Sequence, residues 1–290
     1  MTVSDQILAS VISLRPLSQS ATRLLLAINA PQHNMRELVK IIEVDGVLTS
    51  HVLRVANSAA FARPVPVATI DRALPLLGER LVIGIALGVC AVQLYEDPLD
   101  GYASERGALW RHSLRCAIAA REIAPFCRTE VFPDLAFTAG IVHDLGKAVL
   151  SSYLESASAE ITSSLDKGVF TDYLDAERET LGTDHAEVGA AVGSRWNLPP
   201  ALIRVMQHHH LPSGADEAFR PLLYAVHLGD FAAMMAGIGT GADTMVYNID
   251  QHYKDYVKIS GKELERVMLR TGDEYERIVA ATFDAQEKQA

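Results

Sequence analysis

Cysteine is scarce in this 290-residue chain: three residues, Cys90, Cys116 and Cys127, with no CxxC pair among them. That spacing excludes a zinc ribbon and gives no basis for a disulfide framework, so a reducing, cytoplasmic setting is expected. Positive charge is scarce too, with 26 Lys and Arg against 36 Asp and Glu and a formal net charge of −10. Such a field repels polyphosphate and anionic lipid, so neither nucleic acid nor a membrane surface is expected as a partner. The most apolar run, LVIGIALGVCAVQL at 81–94, is shorter than the roughly 20 residues a bilayer span needs. Glu79, Arg80, Glu96 and Asp97 close both its ends, and it reads as a buried core helix. The first residues lack a basic stretch followed by an apolar block and a small-residue cleavage site, so no secretory signal is read there. Internal repeats and low-complexity segments are missing as well.

Alternating, strand-like patterns are equally sparse, and the prolines of RPVPVATI demote that stretch to a loop. What fills the chain is apolar residues at helical spacing, and a hydrophobic fraction of 49% is enough to bury a sizeable core. The expected fold is all-α, two packed helical bundles. The first, residues 1–97, holds about five helices broken at Pro31, Gly46, 63–69 and Gly78. The acids, Pro98 and Gly101 of YEDPLDGYASE (95–105) mark the boundary. The second, residues 98–290, reads as helices near 104–124, 133–154, 172–181, 185–196, 200–209 and 219–236, then a glycine-rich stretch and a further helical tail. Asn34 with Glu37, and Asp184 with Glu187, have capping-box spacing. Pro200 suits the first turn of a helix.

Eight of the ten histidines fall in the second bundle, and six of them, His112, His143, His185, His208, His209 and His210, stand out at helix ends or helix faces. Imidazoles and carboxylates together suit borderline first-row cations such as iron, manganese or zinc, and one aspartate can bridge two ions. The key stretch is FTAGIVHDLGKAVL (137–150). His143 and Asp144 are adjacent, so on a continuous helix they diverge by about 100° and reach one ion only where the helix ends. Gly146 fits such an ending. Lys147 is three residues beyond Asp144 on the same face, placed either to hold that aspartate or to neutralise an anionic substrate. Alone, a His-Asp pair reads as a hydrogen-bonded helix end. Partners change the weighting: His112 sits inside an apolar helix, His185 opens another, and VMQHHHLP ends a third. Three adjacent imidazoles cannot all face one site, so two of them are expected to. Asp230 is a lone carboxylate in the apolar LLYAVHLGDFAAMM, where burial is costly unless a cation or hydrogen bonds compensate; an exposed position is the alternative. His227, three residues earlier on the same side, reads as a core histidine, with support of the ligands as the alternative.

The order His112, His143-Asp144, His185, His209-His210, Asp230 resembles the ligand series of the HD superfamily of metal-dependent phosphohydrolases, most closely its HD-GYP branch. The first half is similar to HDOD domains, the HD-related output domains of bacterial signalling, above all in VLRVANSAAF with Asn57-Ser58 at a helix end, and in TIDRALPLLG. WNLPPALIRVMQHHHLP also matches that family in form. The resemblance implies an HD-like C-terminal bundle and a regulatory module acting through protein–protein contacts with a histidine kinase, response regulator or cyclic-dinucleotide enzyme. No such segment is read in the chain itself, so the input is expected from a separate protein. HDOD proteins have often lost metal ligands, whereas this chain keeps a nearly complete set, which leaves one or two divalent ions open. Leu211-Pro212-Ser213 replaces the glutamate and GYP segment of the HD-GYP branch. The alternative is a metal-dependent phosphodiesterase or phosphatase in which His112, His143, Asp144, His185, His209, His210 and Asp230 hold the ions and Lys147 stabilises phosphoryl charge. A structural or sensory ion is a third possibility. Asn57-Ser58 by itself reads as capping.

Overall fold

Apolar periodicity of 3.6 residues turns into helix throughout the computed structural model, which describes residues 2–28, 34–57, 61, 65–79, 81–82, 85–86, 94–95 and 97–287. Among the described residues there is no β-strand, only two isolated bridges, Leu99 with Ser104 and Cys127 with Val257. The all-α expectation holds. No described helix is long and apolar enough to cross a membrane. Within the run 81–94, Leu81, Val82, Ile85 and Ala86 are buried; most of that run, with Cys90, and also Pro31 and Ser58, lies outside the described residues.

The chain divides into two compact units, and neither is one continuous stretch. Met1–Pro16 joins Gln93–Met268 in one, while Leu17–Val92 joins Leu269–Ala290 in the other. This differs from a single cut after residue 97: the first helix groups with the second bundle, and the end of the tail with the first. Local sequence marks where an element starts, but partner choice is set by which apolar faces meet.

The smaller unit contains α2 (Gln19–Ile28), α3 (Met35–Glu43), α4 (Gly46–Ala56) and α5 (Ile70–Leu77). Gly46 opens α4 rather than breaking it, because the Asp45 side chain accepts the Leu48 amide at 3.0 Å and caps the helix. Leu38, Ile42, Leu48, Val52 and Leu74 form its core. Asn57 does more than cap. Its amide donates to Leu53 O and Val67 O, both at 2.8 Å, and its oxygen accepts from Val67 N at 2.7 Å, tying the end of α4 to the segment before α5.

The larger unit opens with α1 (Val3–Ser13), capped by a Thr2–Asp5 capping box, a pair the sequence reading passed over. It continues with α6 (Ala108–Ile123), α7 (Pro133–Val142), α8 (Leu145–Leu154), α9 (Ser158–Asp166), α10 (Tyr173–Leu181), α11 (His185–Arg195), α12 (Pro200–His208) and α13 (Arg220–Met235). A short α14 (Tyr253–Tyr256) leads to α15 (Gly261–Glu287). Nearly every residue of α6 is buried, the polar His112, Arg115 and Arg121 among them. Helix α13 lies against it at backbone distance: a Cβ on Gly229 would meet Ala120 N at 2.8 Å and Cys116 O at 2.9 Å. The single helix expected over 133–154 is two, interrupted at His143-Asp144, and α9 was not anticipated. Pro200 does open α12. The Asp184 side chain caps α11 through Glu187 N at 2.8 Å, but Glu187 turns to the Thr183 hydroxyl instead of closing the box. Asn34 likewise caps through Arg36 N.

Candidate metal centre

The interruption between α7 and α8 solves the problem of adjacent ligands. Asp144 leaves the helical run with φ −101° and ψ 9°. The two side chains, which a continuous helix would splay, now meet in one interior space, with His143 Nε2 3.5 Å from Asp144 Oδ2. Gly146 does not end a helix as expected. It is the second residue of α8, and it lets α8 touch α11: a Cβ there would lie 1.9 Å from the His185 carbonyl oxygen.

Four of the five imidazoles are fixed by Nδ1, His210 being the exception. His112 Nδ1 lies 2.8 Å from Ile238 O, His143 Nδ1 2.8 Å from Gly140 O, and His209 Nδ1 3.1 Å from Met206 O. Carbonyl oxygens only accept, so these rings carry a proton on Nδ1 and, when neutral, present a lone pair on Nε2. His185 gives its Nδ1 proton to Glu177, 2.8 Å away, whose carboxylate also accepts the His185 amide and the Tyr102 hydroxyl.

The Nε2 atoms converge on Asp144 from two sides. His185 and His209 stand 3.5 Å and 3.3 Å from Oδ1; His112 and His143 stand 3.5 Å from Oδ2. His210 Nε2 is 2.9 Å from His185 Nε2, and Asp230 Oδ1 is 3.0 Å from His112 Nε2 and 3.9 Å from His143 Nε2. Two sets result, His185, His209 and His210 with Asp144, and His112 and His143 with Asp144, each with ligand atoms within 4.8 Å of one another. All seven residues predicted for the site are brought together, each no more than 5% exposed.

The donor set fits a cation. His112 Nε2, His143 Nε2, His209 Nε2 and Asp144 Oδ1 have no aligned hydrogen bond despite complete burial, whereas Asp144 Oδ2 has the Lys147 ion pair; such unmet groups cost about 1–3 kcal/mol each unless something satisfies them. With its Nδ1 proton on Glu177, His185 faces His210 Nε2 with a lone pair. Neutral imidazoles and carboxylates suit iron, manganese or zinc. Burial pushes the His143 imidazole down to about 4 and that of His210 well below its ordinary value, keeping both in the ligating form. Burial opposes charge on His112 and His185 as well, but Asp230 carries the first above its ordinary value and Glu177 the second. For Asp144 the cost of burial is overcome by Lys147 and the imidazoles, which hold its carboxyl well below the usual range; Asp230 is held at about 2, chiefly by His112 against burial.

Lys147 is buried beside Asp144 and holds it, the first of the two placements its spacing allowed. Its ammonium sits 2.7 Å from Asp144 Oδ2 and 2.6 Å from Asp243 Oδ2 and donates to Thr240 Oγ1 at 3.0 Å, so two carboxylates and a hydroxyl surround it. His208, at the end of α12, is half-buried and outside both sets. His227 is the core histidine expected, with Nδ1 2.7 Å from His209 O and Nε2 accepting Asp250 N at 3.0 Å. Sequence reasoning missed Glu177, Thr240, Asp243 and Tyr247. The last stacks on His210 at 3.9 Å between ring centroids.

The HDOD domain family matches residues 14–212, which takes in six of the seven clustered residues and leaves out Asp230 and everything after it. Over 201 residues the chain is 27% identical to an uncharacterized protein of Treponema pallidum; the match covers 69% of this chain but 38% of that protein, well under half of its length. The fold is shared with a Marinobacter aquaeolei protein assigned to signal transduction, with a TM-score of 0.76 and 21% identity over 98% of this chain and 66% of that one. It is shared also with a Shewanella amazonensis protein assigned as a phosphohydrolase, with a TM-score of 0.61 and 23% identity over 95% and 96%. At these identities the structural likeness speaks to the fold alone. With the family covering most of its length, the chain belongs to the HDOD family.

Proposed function

We propose that this chain is a signalling output module whose HD-like bundle holds one or two divalent ions and passes the state of that site to a partner protein. A histidine kinase, a response regulator or a cyclic-dinucleotide enzyme is the class of partner intended. The observation that carries the reading is closure: every member of a cation-ready cluster is buried, and Lys147, the side chain best placed to meet an anionic substrate, is spent on Asp144, Asp243 and Thr240. Such a site senses or braces more readily than it turns over a phosphoester. Fold likeness to a protein assigned to signal transduction supports the same direction. Elemental analysis of the purified chain tests it. Iron, manganese or zinc should be present in the wild type and lost in Asp144→Ala, with equal phosphoester hydrolysis by the two proteins. A kinase, regulator or cyclase that binds the metal-loaded chain and releases the chelated one completes the support.

A second reading, a metal-dependent phosphohydrolase, is favoured by one feature, the division of Asp144 between two ligand sets. Asp144 would be shared, with His112, His143 and Asp230 on one side and His185, His209 and His210 on the other. Bound ions would supply Lewis-acid polarisation of a phosphoryl oxygen. Against an HD-GYP-type pocket, the loop after His210 is a single turn at Pro212–Gly214, its Ser213 amide held by Asp250 at 2.9 Å. Phosphoester turnover that is faster in the wild type than in Asp144→Ala would establish this reading over the first.

A further inference from the structure

The segment between α13 and α14, residues 237–250, has no helix or strand, yet it closes the cluster. Its buried residues, Thr240, Asp243, Tyr247 and Asp250, recur every three or four positions and point inward, while the residues between them are half-buried or exposed. Ile238 O holds His112 Nδ1 and the Tyr247 ring lies against His210. The Asp243 carboxylate is the centre of the arrangement: it takes Lys147 Nζ at 2.6 Å, the Tyr247 hydroxyl at 2.7 Å and the Thr240 hydroxyl at 2.9 Å. Three donors on one buried carboxylate make an oxyanion site, filled from within the chain.

Two glycines with left-handed backbone bound the first arm of the segment. It leaves α13 at Gly237, with φ +78°, and turns at Gly241, with φ +125°, conformations that cost glycine little. A cavity of about 340 Å³ lies along its first arm, lined by Ser104, Glu105, Arg111, Gly239 and Thr244 among others. Its other anchors are Ile238 N on Ala233 O, Ala242 N on Tyr102 O, Met245 N on Met234 Sδ, Val246 O under Tyr173 N and Asn248 on Asp172, and its far end is pinned at Asp250, whose carboxylate takes Ser213 N and the Tyr224 hydroxyl and whose amide donates to His227 Nε2. Closures of this kind gate access to buried sites.

We propose that residues 237–250 are an acid latch: the Asp243 carboxylate occupies an oxyanion site formed by Lys147, Thr240 and Tyr247, and an external carboxylate or phosphoryl group that takes its place releases the segment and opens the cluster. The inference rests on the reading of the cluster as a ligand-binding site. It assigns the signal as well as the gate, because a small oxyanion is then the input that exposes the imidazoles. Chemistry at the cluster is not required.

Hydrogen–deuterium exchange of the full chain, with inorganic phosphate as probe and chloride at matched ionic strength as control, tests the latch. Asp243→Asn should speed exchange over 237–250 at least tenfold and raise the reactivity of the cluster histidines toward diethyl pyrocarbonate. Tyr247→Phe keeps the ring on His210 and removes one hydroxyl; it should give a smaller increase in the same peptides and guards against a misfolded Asp243 variant. Phosphate should speed exchange of the segment in the wild type and add nothing in Asp243→Asn. Wild-type exchange rates in both variants, or a phosphate effect no larger than that of chloride, would overturn the latch. None of these readouts needs a metal, so a chain that purified free of metal would remove the metal reading and leave the latch to its own test.

Discussion

Placing one methyl group on either side of the α8–α11 contact should have opposite effects. At Gly146 an added Cβ would stand 1.9 Å from the His185 carbonyl oxygen and 2.6 Å from Gly189 N, about 1.5 Å short of the 3.4 Å at which ordinary contact begins. Both obstacles are helix backbone and cannot rotate away, so α8 has to retreat from α11. At Gly189, across the same contact, a Cβ would meet Gly146 N at 3.5 Å and the Met206 Cβ at 3.6 Å, which is ordinary packing. Gly146→Ala therefore carries an overpacking penalty of about 1–3 kcal/mol, while Gly189→Ala gains the roughly 0.5–1 kcal/mol by which alanine outperforms glycine inside a helix. The two variants should differ by about 1.5–4 kcal/mol, or about 3–16 °C in Tm at ~2–4 °C per kcal/mol for a domain of this size.

The retreat also has a functional reading. Asp144 stands next to α8 and His185 opens α11, so separating the helices parts Asp144 Oδ1 from the set formed by His185, His209 and His210 and leaves the set of His112 and His143 in place. Urea unfolding followed by circular dichroism gives the stability difference, and metal titration of each variant gives the site. Gly146→Ala should lose measurable affinity at one of two sites and Gly189→Ala at neither. If the two alanine variants fall within 0.5 kcal/mol of each other, the close approach of α8 to α11 is not what positions Asp144.

Glu177→Gln keeps the shape of the carboxylate but replaces one of its two acceptor oxygens with an NH2, so the His185 Nδ1–H, the His185 amide and the Tyr102 hydroxyl can no longer all be accepted. A chelator competition assay should show metal affinity reduced about 10–100-fold, as for other partners that orient a ligating imidazole, and unchanged affinity would refute the positioning role. Chelation of the loaded protein should lower stability by about 2.7 kcal/mol where the free ion stood at 100 times its Kd, read as a Tm loss in calorimetry that added ion reverses. Asp250 gives the acid limb: burial pushes its carboxyl up, but hydrogen bonds from Ser213 and His252 reverse this and hold it below its ordinary 3.8. A depressed folded-state value means stability present above that pH and lost as pH falls through the folded value. The stability gap between wild type and Asp250→Asn in urea melts should therefore be full at pH 6 and shrink below about pH 4; a constant gap would contradict it.

What could be read from residues alone follows the regularity of the backbone. His112, His185 and Asp230 stand on helices whose apolar neighbours recur at 3.6-residue spacing, so a polar residue on the inner face is conspicuous before any coordinate is known. His143-Asp144 was conspicuous for the same reason, though the helix break that joins the two side chains, and the true task of Gly146, depend on α11, which lies some forty positions further along the chain. Glu177 could have been found. Tyr173, Glu177 and Leu181 fall at i, i+4 and i+8, one buried stripe of α10, and the run of charged neighbours in DAERETL disguised an acid on the apolar face. Thr240, Asp243 and Tyr247 offered no such handle. Their segment has no regular hydrogen-bonded period, so a glycine-rich GTGAD reads as solvated turn, and only the packing of 237–250 onto Lys147 turns the aspartate inward. Lys147 shows the limit most plainly: its spacing from Asp144 announced the ion pair, while the second carboxylate, which decides whether that lysine is free for a substrate, came from 96 residues away.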